Sequence, residues 1–190
     1  MSSGSVFTSP TKRRVPLQPY TPPIQRSASG RPMPSIGFDY ATAKIPGQGV
    51  SMRELRLRGP EMHMRGAGDC VFAGLQRIVF RIIWPGYAHV EWCRTMPVVA
   101  PNGAPITRVG LAIQVASTFA NYFEVSRSPS SSLLAPSKCS VDLQKTQYEQ
   151  PSSADWMISP ACVQFKHLYL IALVNTAEGV WQADVALDVV

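Results

Sequence analysis

Leu168–Tyr169–Leu170–Ile171–Ala172–Leu173–Val174, then Asn175–Thr176–Ala177–Glu178–Gly179, then Trp181 to Val189: this closing stretch decides the class of the fold. Its first part is apolar without interruption, as in a strand buried on both faces. Asparagine and glycine supply turn chemistry in the second. In the third, Trp181, Ala183, Val185, Leu187 and Val189 alternate with Gln182, Asp184, Ala186 and Asp188, the period of a half-buried strand. Alternation at Val163, Phe165, His167 and Tyr169 extends the first strand backwards. Asp184 and Asp188 share a face and are expected to point to solvent or to a subunit contact.

Working outward, Leu75 to Trp84 is rich in β-branched and aromatic residues and reads as a strand, as does Ala88 to Val99. Thr107 to Phe119 places Val109, Leu111, Ile113 and Val115 on one side and Arg108, Gly110, Ala112, Gln114 and Ala116 on the other, again a strand pattern. Val50 to Arg58 reads as a strand with a basic outer face, or alternatively as one turn of helix after Ser51; Gly59 and Pro60 end it. Lys138 to Leu143 reads as a short strand, Gln144 to Asp155 as an irregular connection, and Pro101–Pro105 and Ser126–Ser137 as loops. Seven or eight short strands with no long amphipathic helix predict an all-β sandwich or barrel.

The chain has 190 residues, enough for one domain and an appendage. Eight of its 17 prolines lie at or before Pro46. The same stretch holds Lys12, Arg13, Arg14, Arg26, Arg31 and Lys44 against the single acid Asp39, so it carries +5 of the net +6. Adding Arg53, Arg56, Arg58 and Arg65 against Glu54 and Glu61 brings the total to +7, and the remainder is slightly acidic. Residues 1–49 are therefore expected to form a disordered, basic, Pro-rich arm reaching on the order of 40 Å, and 50–190 a folded body. A basic front on a near-neutral body points to a polyanion, nucleic acid or an anionic membrane surface.

No apolar run approaches the roughly 18 residues of a membrane span, and no signal-peptide core precedes the body. Cys70, Cys93, Cys139 and Cys162 have no CxxC spacing, which favours a reduced compartment. His63, His89 and His167 lie far apart; a zinc site would have to assemble in space from Cys93 near His89 or Cys162 near His167. Nucleophile-elbow, dinucleotide and P-loop spacings are missing, so neither catalysis, nor a metal, nor a cofactor, nor a small-molecule substrate is expected. Trp84, Trp92, Trp156 and Trp181 read as core or interface anchors rather than base-stacking platforms.

Two stretches resemble the coat proteins of small positive-strand RNA plant viruses, the bromovirus group in particular. Val109–Gly110–Leu111–Ala112–Ile113–Gln114–Val115–Ala116 is similar to that group's alanine-rich central strand, and Leu168–Ala172, Ala177–Gly179 and Ala183–Val189 to its last two strands. The resemblance implies an eight-stranded antiparallel jelly roll, a homo-oligomeric capsid shell, and single-stranded viral RNA packaged by the arm. It also implies residence in the virion, with host cytoplasm before assembly. Lys12, Arg13, Arg14, Arg26 and Arg31 would be the RNA-contacting set, joined by Lys44 and, at the inner surface, by Arg53, Arg56, Arg58 and Arg65. The arm is sparser in arginine than that group's arms, and the group's C-terminal extension has no counterpart before Val190. Two other readings are a non-assembling single-stranded RNA-binding β-barrel and a β-fold hydrolase whose site the sequence hides.

Overall fold

A computed structural model describes residues 7–18, 20, 33–87, 92–100, 102–127 and 154–188. The terminal hairpin forms as its pattern predicts. β6 (Leu168–Ala177) and β7 (Val180–Leu187) pair antiparallel from Leu168 opposite Leu187 to Ala177 opposite Val180, with irregular register after Leu170 and after Asn175. Gly179, at φ 69°, closes the turn, and the Asn175 side-chain amide donates to the carbonyls of Ala177 and Val180 at 2.7 and 3.0 Å.

Every other part of the sheet is built on this hairpin. In chain order the remaining strands are β1 (Arg13–Arg14), β2 (Ile36–Gly37), β3 (Val50–Ser51), β4 (Arg77–Ile82) and β5 (Trp92–Pro97). β2 and β3 follow one another along the free edge of β6. On the opposite edge of the hairpin, β4 runs parallel to β7 over Val180–Gln182, and β1 takes up pairing at Ala186 and Leu187. β5 pairs antiparallel with β4 and completes the order β2-β6-β7-β4-β5.

The fold is thus mostly sheet, as expected, but the described residues show seven strands in one mixed sheet that does not close into a barrel. In place of a second sheet, a helix covers one face. Residues read as a strand, Thr107 to Phe119, belong instead to α2 (Arg108–Arg127), which also takes in the start of the expected Ser126–Ser137 loop. Thr107 Oγ1 accepts from the amide of Gly110 at 3.2 Å, a helix N-cap. The buried positions run Ala112, Val115, Ala116, Phe119, Ala120, Tyr122 and Phe123, a helical stripe of three and four. The β-like alternation from Val109 to Val115 arises because this helix also buries Val109 and Leu111. Small residues at 112, 116 and 120 let the helix approach, and its aromatics then lock it edge to face onto the sheet. Phe119 meets Phe80 and Trp84, Phe123 meets Trp84 at 5.3 Å, and Tyr122 meets Trp92 at 5.6 Å. Trp84, Trp92, Trp156 and Trp181 are all buried, as core anchors.

For Val50 to Arg58 the second of the two readings holds. Ser51 ends β3 and caps α1 (Met52–Arg58), its hydroxyl accepting from the amide of Glu54 at 3.4 Å. Met52 and Leu55 are buried, while Leu57 is 72% exposed.

Residues 7–18 and 33–49, expected to belong to a disordered arm, are packed onto the body. Ile36 and Phe38 enter the core, and the buried carboxylate of Asp39 accepts from the backbone amides of Gly47, Gln48 and Gly49. Gly49, at φ 76°, lies against Leu170 and Ile171 where a side chain would collide. The boundary expected at residue 49 therefore does not separate arm from body. The expected strand Lys138–Leu143 and most of the connection Gln144–Asp155 lie outside the described residues.

Candidate nucleic-acid interface

The basic residues singled out from the sequence fall into two groups with different surroundings. Arg26 and Arg31 lie outside the described residues. Lys12, Arg13 and Arg14 sit on the sheet edge and are engaged by the body. The Lys12 ammonium stands 4.3 Å from the centre of the Tyr169 ring. Arg13 pairs with Asp155 at 2.8 Å and lies 4.4 Å over the Trp156 ring. Arg14 forms a two-pronged pair with Asp184, Nε to Oδ1 at 2.8 Å and Nη2 to Oδ2 at 2.7 Å. Hydrogen bonding to Asp184 holds the Arg14 guanidinium above its ordinary pKa despite partial burial. Asp184, expected to face solvent or a subunit, has no exposed side-chain surface.

The second group faces solvent. Arg53, Arg56 and Arg58 are exposed on α1, and Lys44, Arg65 and Lys166 are exposed on the surrounding turns. Arg53, Arg56 and Leu57 are spaced three and four apart and share one side of the helix. Arg56 lies 5.7 Å from the centre of the Phe165 ring, next to Lys166. Arg56 and Arg58 also complement the negative end of the helix dipole. None of the three helix arginines forms an ion pair with another described residue. The nearest acid on the helix, Glu54, instead accepts from the Tyr40 hydroxyl at 3.1 Å, and burial pushes that phenol up to about 12.

Arg108, at the start of α2, has a purely architectural role. It donates to Gly37 O at 2.9 Å and to Gly66 O at 3.3 Å, and pairs with Asp69 at 3.1 Å.

Among the described residues no three metal-ligating side chains come together. Cys70 is exposed, and Cys93 and Cys162 are half-buried with free thiols. His167 Nδ1 accepts from the amide of Gln164 at 3.2 Å; burial, reinforced by Lys166 and opposed by Asp188, lowers its pKa. An open cleft of about 360 Å³ lies beside the start of α2, lined by Ala100, Asn102, Ile106, Thr107 and Gln114 among others, with no titratable side chain in its wall. No described helix is long and apolar enough to cross a membrane.

Sequence reasoning overlooked the body residues that hold the arm: Tyr169, Gln182, Asp184, Asp155 and Arg81. The signal was present in Gln182 and Asp184, two polar residues at the alternate positions of an otherwise apolar strand. No protein-family model, no curated protein and no solved structure matches this chain.

Proposed function

We propose that this protein acts by binding single-stranded RNA, independently of base sequence, through the exposed arginines of α1. The observation that carries the reading is that Arg53, Arg56 and Arg58 are solvent-facing on one short helix and unpaired within the described structure. Guanidinium groups so placed neutralise phosphates and release counterions, a chemistry that needs neither a pocket nor a fixed ligand geometry. Leu57, exposed between Arg56 and Arg58, adds an apolar contact for an unstacked base or sugar. Labelled oligonucleotide anisotropy at several salt concentrations tests it. The wild-type logarithmic affinity should fall with log salt, and Arg53→Ala/Arg56→Ala/Arg58→Ala should flatten that slope by about 2, at ~0.7 per lost phosphate contact. Equal slopes for the two proteins would overturn this assignment.

A coat-subunit form of this reading adds self-assembly into a shell around viral RNA and the eight-stranded jelly roll that goes with it. Its support is the sequence resemblance of Leu168–Ala172, Ala177–Gly179 and Ala183–Val189 to that group's last two strands, residues that pair here as the hairpin of β6 and β7. Val109–Ala116, the other half of the likeness, is helical and lends it no strand. Sedimentation velocity recorded at 260 and 280 nm separates the two forms: fast, salt-labile particles with a nucleic-acid spectrum belong to a coat subunit, small RNA-binding species to the first reading.

A further inference from the structure

We infer that Phe165 is a base-stacking platform: an unpaired base seats between its ring and the Arg56 guanidinium, so the arginine surface of α1 selects single strands over duplex. The inference rests on the RNA reading of α1 and adds what that surface recognises besides phosphate.

The ring is fixed in place by its own turn. Phe165 opens the short 3-10 turn Phe165–His167 that leads into β6. Gln164 ties this turn together. Its backbone amide donates to His167 Nδ1 at 3.2 Å, its carbonyl accepts from the His167 amide at 3.0 Å, and its side-chain amide donates to Pro160 O. The Phe165 ring packs on Phe123 of α2, centroids 6.4 Å apart and 71° between planes, yet the residue stays half-buried. Over this ring lies the Arg56 guanidinium.

Distance sets the pair apart. Elsewhere the cations are seated close on their rings: Arg81 at 3.9 Å from Tyr20, Lys12 at 4.3 Å from Tyr169, Arg13 at 4.4 Å from Trp156 and Arg94 at 4.5 Å from Trp92. Arg56 stands off at 5.7 Å. A contact serving stability alone gains by closing, as those pairs have closed. A base held in a sandwich needs two contact spacings of ~3.5 Å, about 7 Å in all, so an outward shift of roughly 1 Å opens the gap to fit. Arg56 is free to make it, being exposed and without an ion pair to any described residue.

The surroundings suit the nucleotides on either side. Lys166 is exposed beside the ring, and Arg53 lies on the side of α1 that carries Arg56. Every base has a π-face, so stacking here tolerates any sequence. A base inside a duplex has both faces covered by its neighbours and cannot enter.

An oligouridine strand carrying one 2-aminopurine, alone and annealed to its complement, tests the platform. Wild-type protein should bind the single strand more tightly than the duplex and quench the 2-aminopurine fluorescence by stacking. Phe165→Leu should lose the quenching and about tenfold in single-strand affinity, with duplex affinity and salt slope unchanged. Arg56→Lys, which keeps the charge and loses the plane, should weaken single-strand binding and quenching at an unchanged salt slope. The platform is overturned, and RNA binding left standing, if Phe165→Leu weakens both forms equally or neither while the triple arginine variant still flattens the slope. A wild-type slope equal to that of the triple variant overturns RNA binding and the platform with it. If Phe165→Leu loses the near-ultraviolet circular dichroism of the wild type, Arg56→Lys decides alone, and wild-type affinity and quenching in that variant sink the platform.

Discussion

Arg14 and Asp184 are 170 positions apart in the chain and meet in a two-pronged ion pair whose carboxylate has no exposed surface. Removing one partner strands the other: Arg14→Ala leaves a buried carboxylate without its counter-charge, and Asp184→Ala leaves a guanidinium that can still turn to water because it is 38% exposed. Arg14→Ala is therefore expected to cost about 3 kcal/mol, and Asp184→Ala less. Replacing both by apolar residues should recover most of the loss. Urea denaturation of the two single variants and the double variant gives the cycle.

Leu55 and Leu57 distinguish helix from strand at α1. In a strand they would share a face; in the helix Leu55 is buried and Leu57 is 72% exposed. Leu55→Ala should cost about 2–5 kcal/mol, and Leu57→Ala should fall within ~0.5 kcal/mol of wild type. Comparable losses at both would contradict the helix.

Ala116 gives the same contrast in α2. The strand reading puts it with Arg108 and Gln114 on the less apolar side, but it is fully buried against the sheet. Ala116→Leu should destabilise by about 1–3 kcal/mol through overpacking, detectable as a lower thermal midpoint.

His167 gives the protein a modest acid sensitivity. Its folded pKa lies below the ordinary 6.5, so the folded state favours the neutral ring. The stabilisation is complete above 6.5 and is lost as pH falls through the lower folded value, because the partly buried ring must then carry a charge beside Lys166. Titration of the imidazole by NMR should give a midpoint below 6.5, and His167→Gln should flatten the stability profile in that window. A midpoint above 6.5 would reverse the assigned cause.

The hairpin from Leu168 to Leu187 was legible because unbroken apolar character and strict alternation leave few alternatives to strands. α2 was not, because Val109, Leu111, Ile113 and Val115 satisfy period two while Ala112, Val115, Ala116 and Phe119 satisfy the helical period within the same residues. The N-cap at Thr107 and the continuation through Tyr122 and Phe123 were the discriminating signs. The exposed arginines of α1 were visible as charge, whereas the engagement of Lys12, Arg13 and Arg14 was not. Pairing across 170 positions leaves no local trace, and a carboxylate at an alternate strand position looks the same whether it meets water or a guanidinium.

The place of β6 and β7 at the centre of the sheet also fixes when the protein can fold. β1, β2, β3 and β4 each pair with one of these two strands, and among the described residues the only strand pair complete without them is β4 with β5. During synthesis the ribosome must therefore deliver residues 168–187 before the sheet has a middle. Until then Ile36, Phe38 and Val50 lack the β6 edge they lie along, and α2 has only β4 and β5 of the sheet to pack on. The nascent chain is thus most exposed to aggregation just before residues 168–187 arrive, when the contacts of α2 with β4 and β5 are all that the sheet offers to shield its apolar surface.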